Sequence, residues 1–403
     1  MSRRAAIAAV YAAGLVQGLA LVTFPAAGAV LTGAGGYGLS NTQYGGLFVP
    51  QALAAITAAA LGAGLTRHIG QRRVFLLGLA ANLLAMALLL MTVPAMKDPS
   101  LAYGELLAAT GFLGLGFGLT VPTLNTLAAE LFTDAVNKAV LVLNALLGLG
   151  TALAPALIAL FVGLGFWWGL PLLALLLLCT LLTCSARLPL GAAAPSSDAN
   201  VASAATATTG WPPRLLAFCA FALLYGVCET MNGNWASLYM AQELGAGATQ
   251  AVLALTLFWG TVTAGRLLFA ATERWVSERA LCRFLPLLLA LVFVLTAALP
   301  ASPLAGLLAF AGAGLACSAL LPLAVGFCAA EFDRPGASTA GALIAFYQGG
   351  YGLAAFGVGP IRQIFGLHLG WLFGASAGVA LALAASAFVI ARPARGRRAA
   401  VPH

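Results

Sequence analysis

Leu224-Tyr225-Gly226-Val227-Cys228-Glu229-Thr230-Met231-Asn232-Gly233-Asn234-Trp235 lies inside an apolar run from about Trp211 to Met240. A run of that length exceeds the roughly 20 residues that carry a helix across a bilayer. Glu229 sits near its middle. A bare carboxylate at that depth is costly, so it must face protein or a wet cavity rather than acyl chains. Tyr225, Glu229 and Asn232 recur at i, i+4 and i+7, on one helical face. The stretch therefore reads as a membrane helix with a polar stripe. Two readings of the stripe compete: a hydrogen-bonded lock onto a neighbouring helix, or a substrate and proton site. The second is the expectation taken forward.

Composition agrees with that reading. Of 403 residues, 62% are hydrophobic and only 7% charged, whereas a soluble domain carries about 25% charged residues. The chain is expected to be an all-α membrane protein. Arg3-Arg4 precede an apolar run too long for a signal peptide, so the first segment is expected to stay as a helix. The net charge of +8 does not indicate nucleic-acid binding, because the basic residues are scattered between apolar runs. The seven cysteines (Cys179, Cys184, Cys219, Cys228, Cys282, Cys317, Cys328) lack the close spacing of a metal or redox site. They read as small buried hydrophobes.

Apolar runs separated by Gly, Pro or charge predict twelve transmembrane helices, at 6–31, 41–66, 73–95, 101–130, 137–164, 166–186, 212–240, 248–273, 280–300, 303–330, 338–364 and 367–391. With a cytoplasmic N-terminus, all but Lys97, Arg266 and Arg362 of the 19 Lys and Arg residues fall on the inner side. That bias predicts a multi-pass protein of the inner (plasma) membrane with both termini cytoplasmic. The only long polar connection has a core of Ala192-Ala193-Ala194-Pro195-Ser196-Ser197-Asp198 and an Ala/Ser/Thr tract after it. Such a segment cannot bury a core and reads as a flexible cytoplasmic linker. The expected organisation is an N-terminal six-helix bundle at 1–187, a linker at 188–211, and a C-terminal six-helix bundle with a short basic tail at 212–403.

The two halves resemble each other. A shift of 207 positions lays Thr42-Gln43 on Thr249-Gln250 and Thr66-Arg67 on Glu273-Arg274. Gln17-Gly18 falls one residue from Tyr225-Gly226. Gly148, Gly150 and Pro155 of the fifth span echo Gly352, Gly357 and Pro360 of the eleventh. Two pseudo-symmetric six-helix bundles in parallel repeat form one transporter layout, with substrate between them near the midplane.

The loop Gly64-Leu65-Thr66-Arg67-His68-Ile69-Gly70-Gln71-Arg72-Arg73 resembles the signature of the major facilitator superfamily between spans two and three. Arg67 stands where that signature has aspartate, and His68 where it has a basic neighbour. Trp259-Gly260-Thr261-Val262-Thr263-Ala264-Gly265-Arg266 is similar to a Gly-Arg segment found in many members. With Glu229 in span seven and Leu143 to Gly150 in span five, the chain looks most like the fucose-permease-like branch. The acidic residues that branch can carry in spans one and four are missing; Gln17, Thr120, Thr123 and Asn125 stand there. The resemblance implies alternating access by a secondary transporter, probes of the cavity coming from the first, fourth, seventh and tenth spans.

On that basis the expected substrate and proton residues are Glu229, Asn232, Tyr225, Asn234, Trp235, Gln17, Phe24, Asn125, Gln348, Tyr347 and Trp259. Gln51, Asn144, Tyr351 and Ser318 stand beside them as further candidates. Amides hydrogen-bond and rings stack, so the set suits a polar, ring-shaped or hydroxylated solute. Glu229 is the natural proton carrier, because a carboxyl group moved between wet and dry surroundings can load and unload a proton. Arg67, Arg72, Arg73 and Arg266 are expected to gate. Pro25, Pro50, Pro122, Pro155, Pro322 and Pro360 mark expected kinks.

No cofactor and no metal is called for: Met231 and Met240 lack the spacing of a soft-metal ladder. The expected partners are a small-molecule substrate, protons and the bilayer, with no nucleic acid, and the protein is expected to be a monomer. A membrane enzyme would need convergent His, Asp or Cys groups at depth, yet His68, His368 and His403 lie at span ends or in the tail. A primary pump would need a phosphate-binding Gly-Lys-Ser/Thr loop, which the sequence lacks. Efflux of metabolites or drugs, uptake of a vitamin-like or metal substrate, and a non-transporting receptor remain as alternatives.

Overall fold

The computed structural model describes residues 3–188, 190, 212–272, 275–298, 302–332 and 337–392. Most of the linker expected at 188–211, and the basic tail from 393 on, lie outside the described residues. The first half of the chain runs through α1 (Arg3–Ala26), α2 (Gly28–Thr32), α3 (Asn41–Gly46), α4 (Phe48–Ile69), α5 (Gln71–Met91), α6 (Pro99–Leu131), α7 (Val136–Gly163) and α8 (Gly169–Ser185). The second half runs through α9 (Pro213–Gln242), α10 (Ala248–Thr272), α11 (Glu278–Ala298), α12 (Pro303–Cys317), α13 (Leu320–Glu331), α14 (Ala337–Phe365) and α15 (Leu369–Ile390). The protein is all-helical among the described residues. Among the described residues, ten stretches are long and apolar enough to cross a membrane, and α8 is a shorter apolar helix.

Three of the expected continuous spans are broken. The first is divided between α1 and α2, the second between α3 and α4, and the tenth between α12 and α13. Proline accounts for two of these breaks. Pro50 has no N–H for the Gly46 carbonyl, and α3 stops at Gly46; Pro322 has none for the Ser318 carbonyl, and α12 stops at Cys317. Pro25 lies next to the end of α1. Pro122, Pro155 and Pro360 instead sit inside continuous helices.

Lipid is as apolar as these helix surfaces, so close backbone contact at small residues does much of the packing. Where α1 crosses α7, a methyl group added at Gly18 would lie 2.0 Å from the Leu147 carbonyl oxygen and 2.9 Å from the Thr151 nitrogen. One added at Gly150 would lie 2.1 Å from the Leu15 oxygen and 2.9 Å from the Leu19 nitrogen. The crossing of α9 with α14 repeats this geometry. A methyl at Gly226 would meet the Tyr347 oxygen at 2.3 Å and the Tyr351 nitrogen at 3.1 Å, and one at Gly350 would meet Leu223 and Val227 in the same way. The fifth and eleventh spans are thus matched through Gly150 and Gly350, four residues away from the register read off Gly148 and Gly352.

Between α4 and α5, Gly70 turns the chain at φ 86°, a left-handed conformation that a side chain would strain. Arg72 then donates to the Ala186 carbonyl at the end of α8. In the second half, Arg214 at the start of α9 pairs with both carboxylate oxygens of Glu331 and donates to the Arg392 carbonyl at 3.0 Å. These cationic anchors tie helix ends together.

Candidate functional site

Glu229 is 5% exposed and lies on the face of α9 that meets α14 and the α12–α13 break. Two tyrosine hydroxyls serve its carboxylate. Tyr225, one turn earlier, lies 2.7 Å from Oε1. Tyr347, from α14, donates to Oε2 at 2.5 Å. The two rings stack with centroids 5.9 Å apart. Glu229 forms no ion pair among the described residues.

The break in the tenth span supplies the other side of this cluster. Its freed carbonyls are taken by side chains rather than by backbone. The Tyr225 hydroxyl lies 3.0 Å from the Cys317 oxygen, so its single proton can go there or to Glu229. Arg266 Nε donates to the Ser318 oxygen at 3.1 Å. Pro322 leaves that oxygen without its helical donor, and the cation takes its place. Arg266 is therefore held against the break and does not line the cavity.

A cavity of about 70 Å³ lies in front of Tyr347. Its walls come from α1 (Leu21, Val22, Pro25), α4 (Gln51, Ala52, Ala55) and α6 (Gly114, Phe117) on one side. On the other they come from α9 (Asn234), α10 (Trp259) and α14 (Tyr347, Gln348, Tyr351). None of these residues is charged. Asn234 donates to the Tyr351 hydroxyl at 3.3 Å. Gln51 Oε1 and Trp259 Nε1 are enclosed with no hydrogen-bond partner.

Of the expected substrate and proton residues, Asn234, Trp259, Tyr347 and Gln348 line the cavity. Glu229 and Tyr225 stand one layer behind it. Trp235 is fully buried, donating to the Ala354 carbonyl at 3.2 Å and packing edge-on against Tyr44. Asn232 donates back to its own helix at Cys228. Gln17 accepts from Asn82 at 2.7 Å, away from the cavity. Asn125 accepts from Asn144 at 3.2 Å between α6 and α7. Phe24 is fully buried, with Leu21, Val22 and Pro25 of the same helix facing the cavity. Arg67 lies in the last turn of α4, and Arg73 is exposed in the first turn of α5. The second, eighth and eleventh spans supply much of the wall, and no residue of the tenth lines it. Phe117 carried no signal in the sequence beyond being one more apolar residue on α6.

Among the described residues, three hydrogen bonds join the two halves at the end of the molecule that holds residues 33–40. Tyr44 donates to the Asn234 carbonyl at 2.9 Å, Thr42 to the Gln363 amide oxygen at 2.8 Å, and Ser237 to the Pro25 carbonyl at 3.4 Å. Gly45 adds a close approach: a methyl there would sit 2.6 Å from the Ala355 oxygen.

The sequence pattern of the Major Facilitator Superfamily matches residues 8–337. The chain belongs to the major facilitator superfamily. Membership makes it a transporter rather than an enzyme. A search of curated proteins by sequence returns no match. Among solved structures, it is similar to a variant of the nucleoside transporter NupG, with a TM-score of 0.75 at 13% identity, covering 96% of this chain and 99% of that one. A D-xylose–proton symporter gives a TM-score of 0.68 at 16% identity, covering 94% and 96%. A POT family transporter bound to 5-aminolevulinic acid gives 0.72 at 15% identity, covering 96% of each chain. At these identities the likeness is one of fold.

Proposed function

We propose that this protein is a secondary active transporter that moves a small polar solute by alternating access, with Glu229 as the proton-coupling residue. One observation carries the reading: a cavity walled from both halves has the buried carboxyl group of Glu229 one hydroxyl behind it, through Tyr347. In this reading α8 and α14 complete a set of twelve spans in two six-helix bundles, with 188–211 as the linker. The repeated glycine crossings, α1 with α7 and α9 with α14, support the pairing of the bundles. The distribution of basic residues supports both termini lying on the cytoplasmic side of the inner membrane. The end knit by Tyr44, Thr42 and Ser237 is then the outer one, and it is shut.

The chemistry follows from proton inventory. Charged Glu229 accepts from both Tyr225 and Tyr347. Once protonated, it offers a donor of its own, and the Tyr225 hydroxyl is released to the Cys317 carbonyl at the break. Protonation is thereby communicated to the α12–α13 break and, through Tyr347, to the cavity wall. The neighbours' solutes (nucleoside, D-xylose, 5-aminolevulinic acid) mark the range of chemistry to try first.

The test uses purified protein in vesicles with an imposed pH gradient, offered uridine, D-xylose and 5-aminolevulinic acid. One of these should accumulate with the gradient. Glu229→Gln should abolish gradient-driven accumulation and spare solute exchange. Unaltered accumulation in that variant removes Glu229 from coupling.

A further inference from the structure

We infer that the cavity is built for an uncharged, flat heterocycle that presents a hydrogen-bond donor and an acceptor on one edge, with Gln51 and Trp259 as the pair that reads it. The inference deepens the transporter reading and rests on it for the role of the cavity. Its ground is the pair of orphaned atoms. Gln51 Oε1, from the first half, can only accept; Trp259 Nε1, from the second half, can only donate. Both residues line one cavity. A buried polar group left unpaired is costly, so two of opposite character on residues lining one cavity are kept at a cost to stability. A ligand edge such as a lactam or amide satisfies both at once.

The other walls narrow the class. With no charged side chain in the lining, an anion or cation would lose its water with nothing to replace it. Polyols fit badly too. The Tyr347 hydroxyl is committed to Glu229, and Tyr351 already accepts from Asn234. What remains is the amides of Gln51, Asn234 and Gln348, the Tyr351 hydroxyl proton and the Trp259 N–H on walls that are otherwise apolar, a poor match for a sugar's ring of hydroxyls. Rings and aliphatic groups dominate instead: Phe117, Trp259, Tyr347 and Tyr351 suit the faces of a flat solute. At about 70 Å³ the cavity is smaller than the roughly 300 Å³ of a small ligand site. The solute therefore enters as the walls part, and the two halves close on it when Gln51 and Trp259 both engage.

Thermal-shift and calorimetric titrations of the full-length protein test this with uracil, nicotinamide, the N,N′-dimethyl form of uracil, D-xylose and lactate. Uracil or nicotinamide should bind, and D-xylose, lactate and the dimethylated ring should not. Gln51→Leu and Trp259→Phe should each weaken binding by about tenfold, the effect of one lost hydrogen bond. Ligand-free Gln51→Leu should melt no lower than the parent, because it loses only an unpaired polar atom there. A merely structural glutamine would lower the midpoint. Binding of D-xylose or lactate instead, no binding of either heterocycle, or binding indifferent to both substitutions overturns the inference. If a heterocycle binds with these losses yet is never taken up by vesicles, the reading of this cavity as the transport site fails and the assignment of the pair stands. If D-xylose is taken up and heterocycles do not bind, the reverse holds.

Discussion

The crossing of α1 with α7 and the crossing of α9 with α14 share one backbone contact and differ in the polar groups placed beside it. Beside the first lies Gln17, bonded to Asn82 as a neutral amide pair, with Gln17 Nε2 and Asn82 Oδ1 left over. Beside the second lies Glu229, with a tyrosine hydroxyl on each oxygen. The scaffold tolerates either. A carboxylate at this depth is affordable only where donors converge on it, and Tyr347 provides one from α14 that α7 does not provide. The same residue is a wall of the cavity. The asymmetry thus places the carboxyl group of this pair of crossings on the side where two tyrosine hydroxyls meet it, one of them on a cavity wall.

The largest test of the comparison is steric. Gly18→Val and Gly226→Val should each cost about 3 kcal/mol or more, since the new carbon would collide with a carbonyl oxygen rather than a flexible side-chain tip. Melting midpoints and folded yield in detergent would read it. Similar losses at the two sites sharpen the equivalence of the crossings; a tolerant Gly18 beside an intolerant Gly226 breaks it.

The polar groups should then diverge. Tyr347→Phe removes a donor from a charged acceptor and should cost about 2 kcal/mol of stability, together with most gradient-driven uptake. The double change Gln17→Leu with Asn82→Leu removes both partners of a neutral pair and two orphaned atoms, so the midpoint should move little or rise. A large loss in the double variant would show that the first crossing's polar pair holds the bundle as firmly as the second's.

Much of this was legible in the sequence, for a physical reason. Helical periodicity is local, so the i, i+4 spacing of Tyr225 and Glu229 translates directly into their 2.7 Å contact. Proline's missing N–H is also local, which is why Pro322 marks the tenth span. What it could not tell is where the freed Ser318 carbonyl would go, because its donor Arg266 is 52 residues away. Tyr347 meets Glu229 across 118 residues, a distance only packing sets. Gln51 and Trp259 were visible as polar residues in apolar helices. Their importance lies in having no partner, and a missing partner is a property of the assembled interior alone.

The smallest expected difference lies at the helix starts, where the halves again follow one plan. Asp98-Pro99 opens α6 and Ser302-Pro303 opens α12, each with a capping side chain before a first-turn proline. Ser302 accepts from the Ala305 nitrogen at 3.5 Å and cannot titrate. Asp98 accepts from the Ser100 hydroxyl at 2.8 Å and from the Ser100 and Leu101 nitrogens at 3.2 Å. The hydroxyl first, and then the Leu101 amide, hold its carboxyl below the ordinary aspartate value. A carboxyl lowered in the folded state contributes stability that is fully present above its unfolded value, about 3.9. That contribution drains away as pH falls through the lowered folded value. The midpoint gap between parent and Asp98→Ala should therefore be constant near neutrality, begin to narrow around pH 4, and level off in stronger acid at what a neutral cap contributes, whereas the gap to Ser302→Ala should not depend on pH. A pH-independent gap at Asp98 would mean that its charge does nothing for the cap beyond what the serine does, and the two helix starts would then be equivalent in energy as well as in sequence plan.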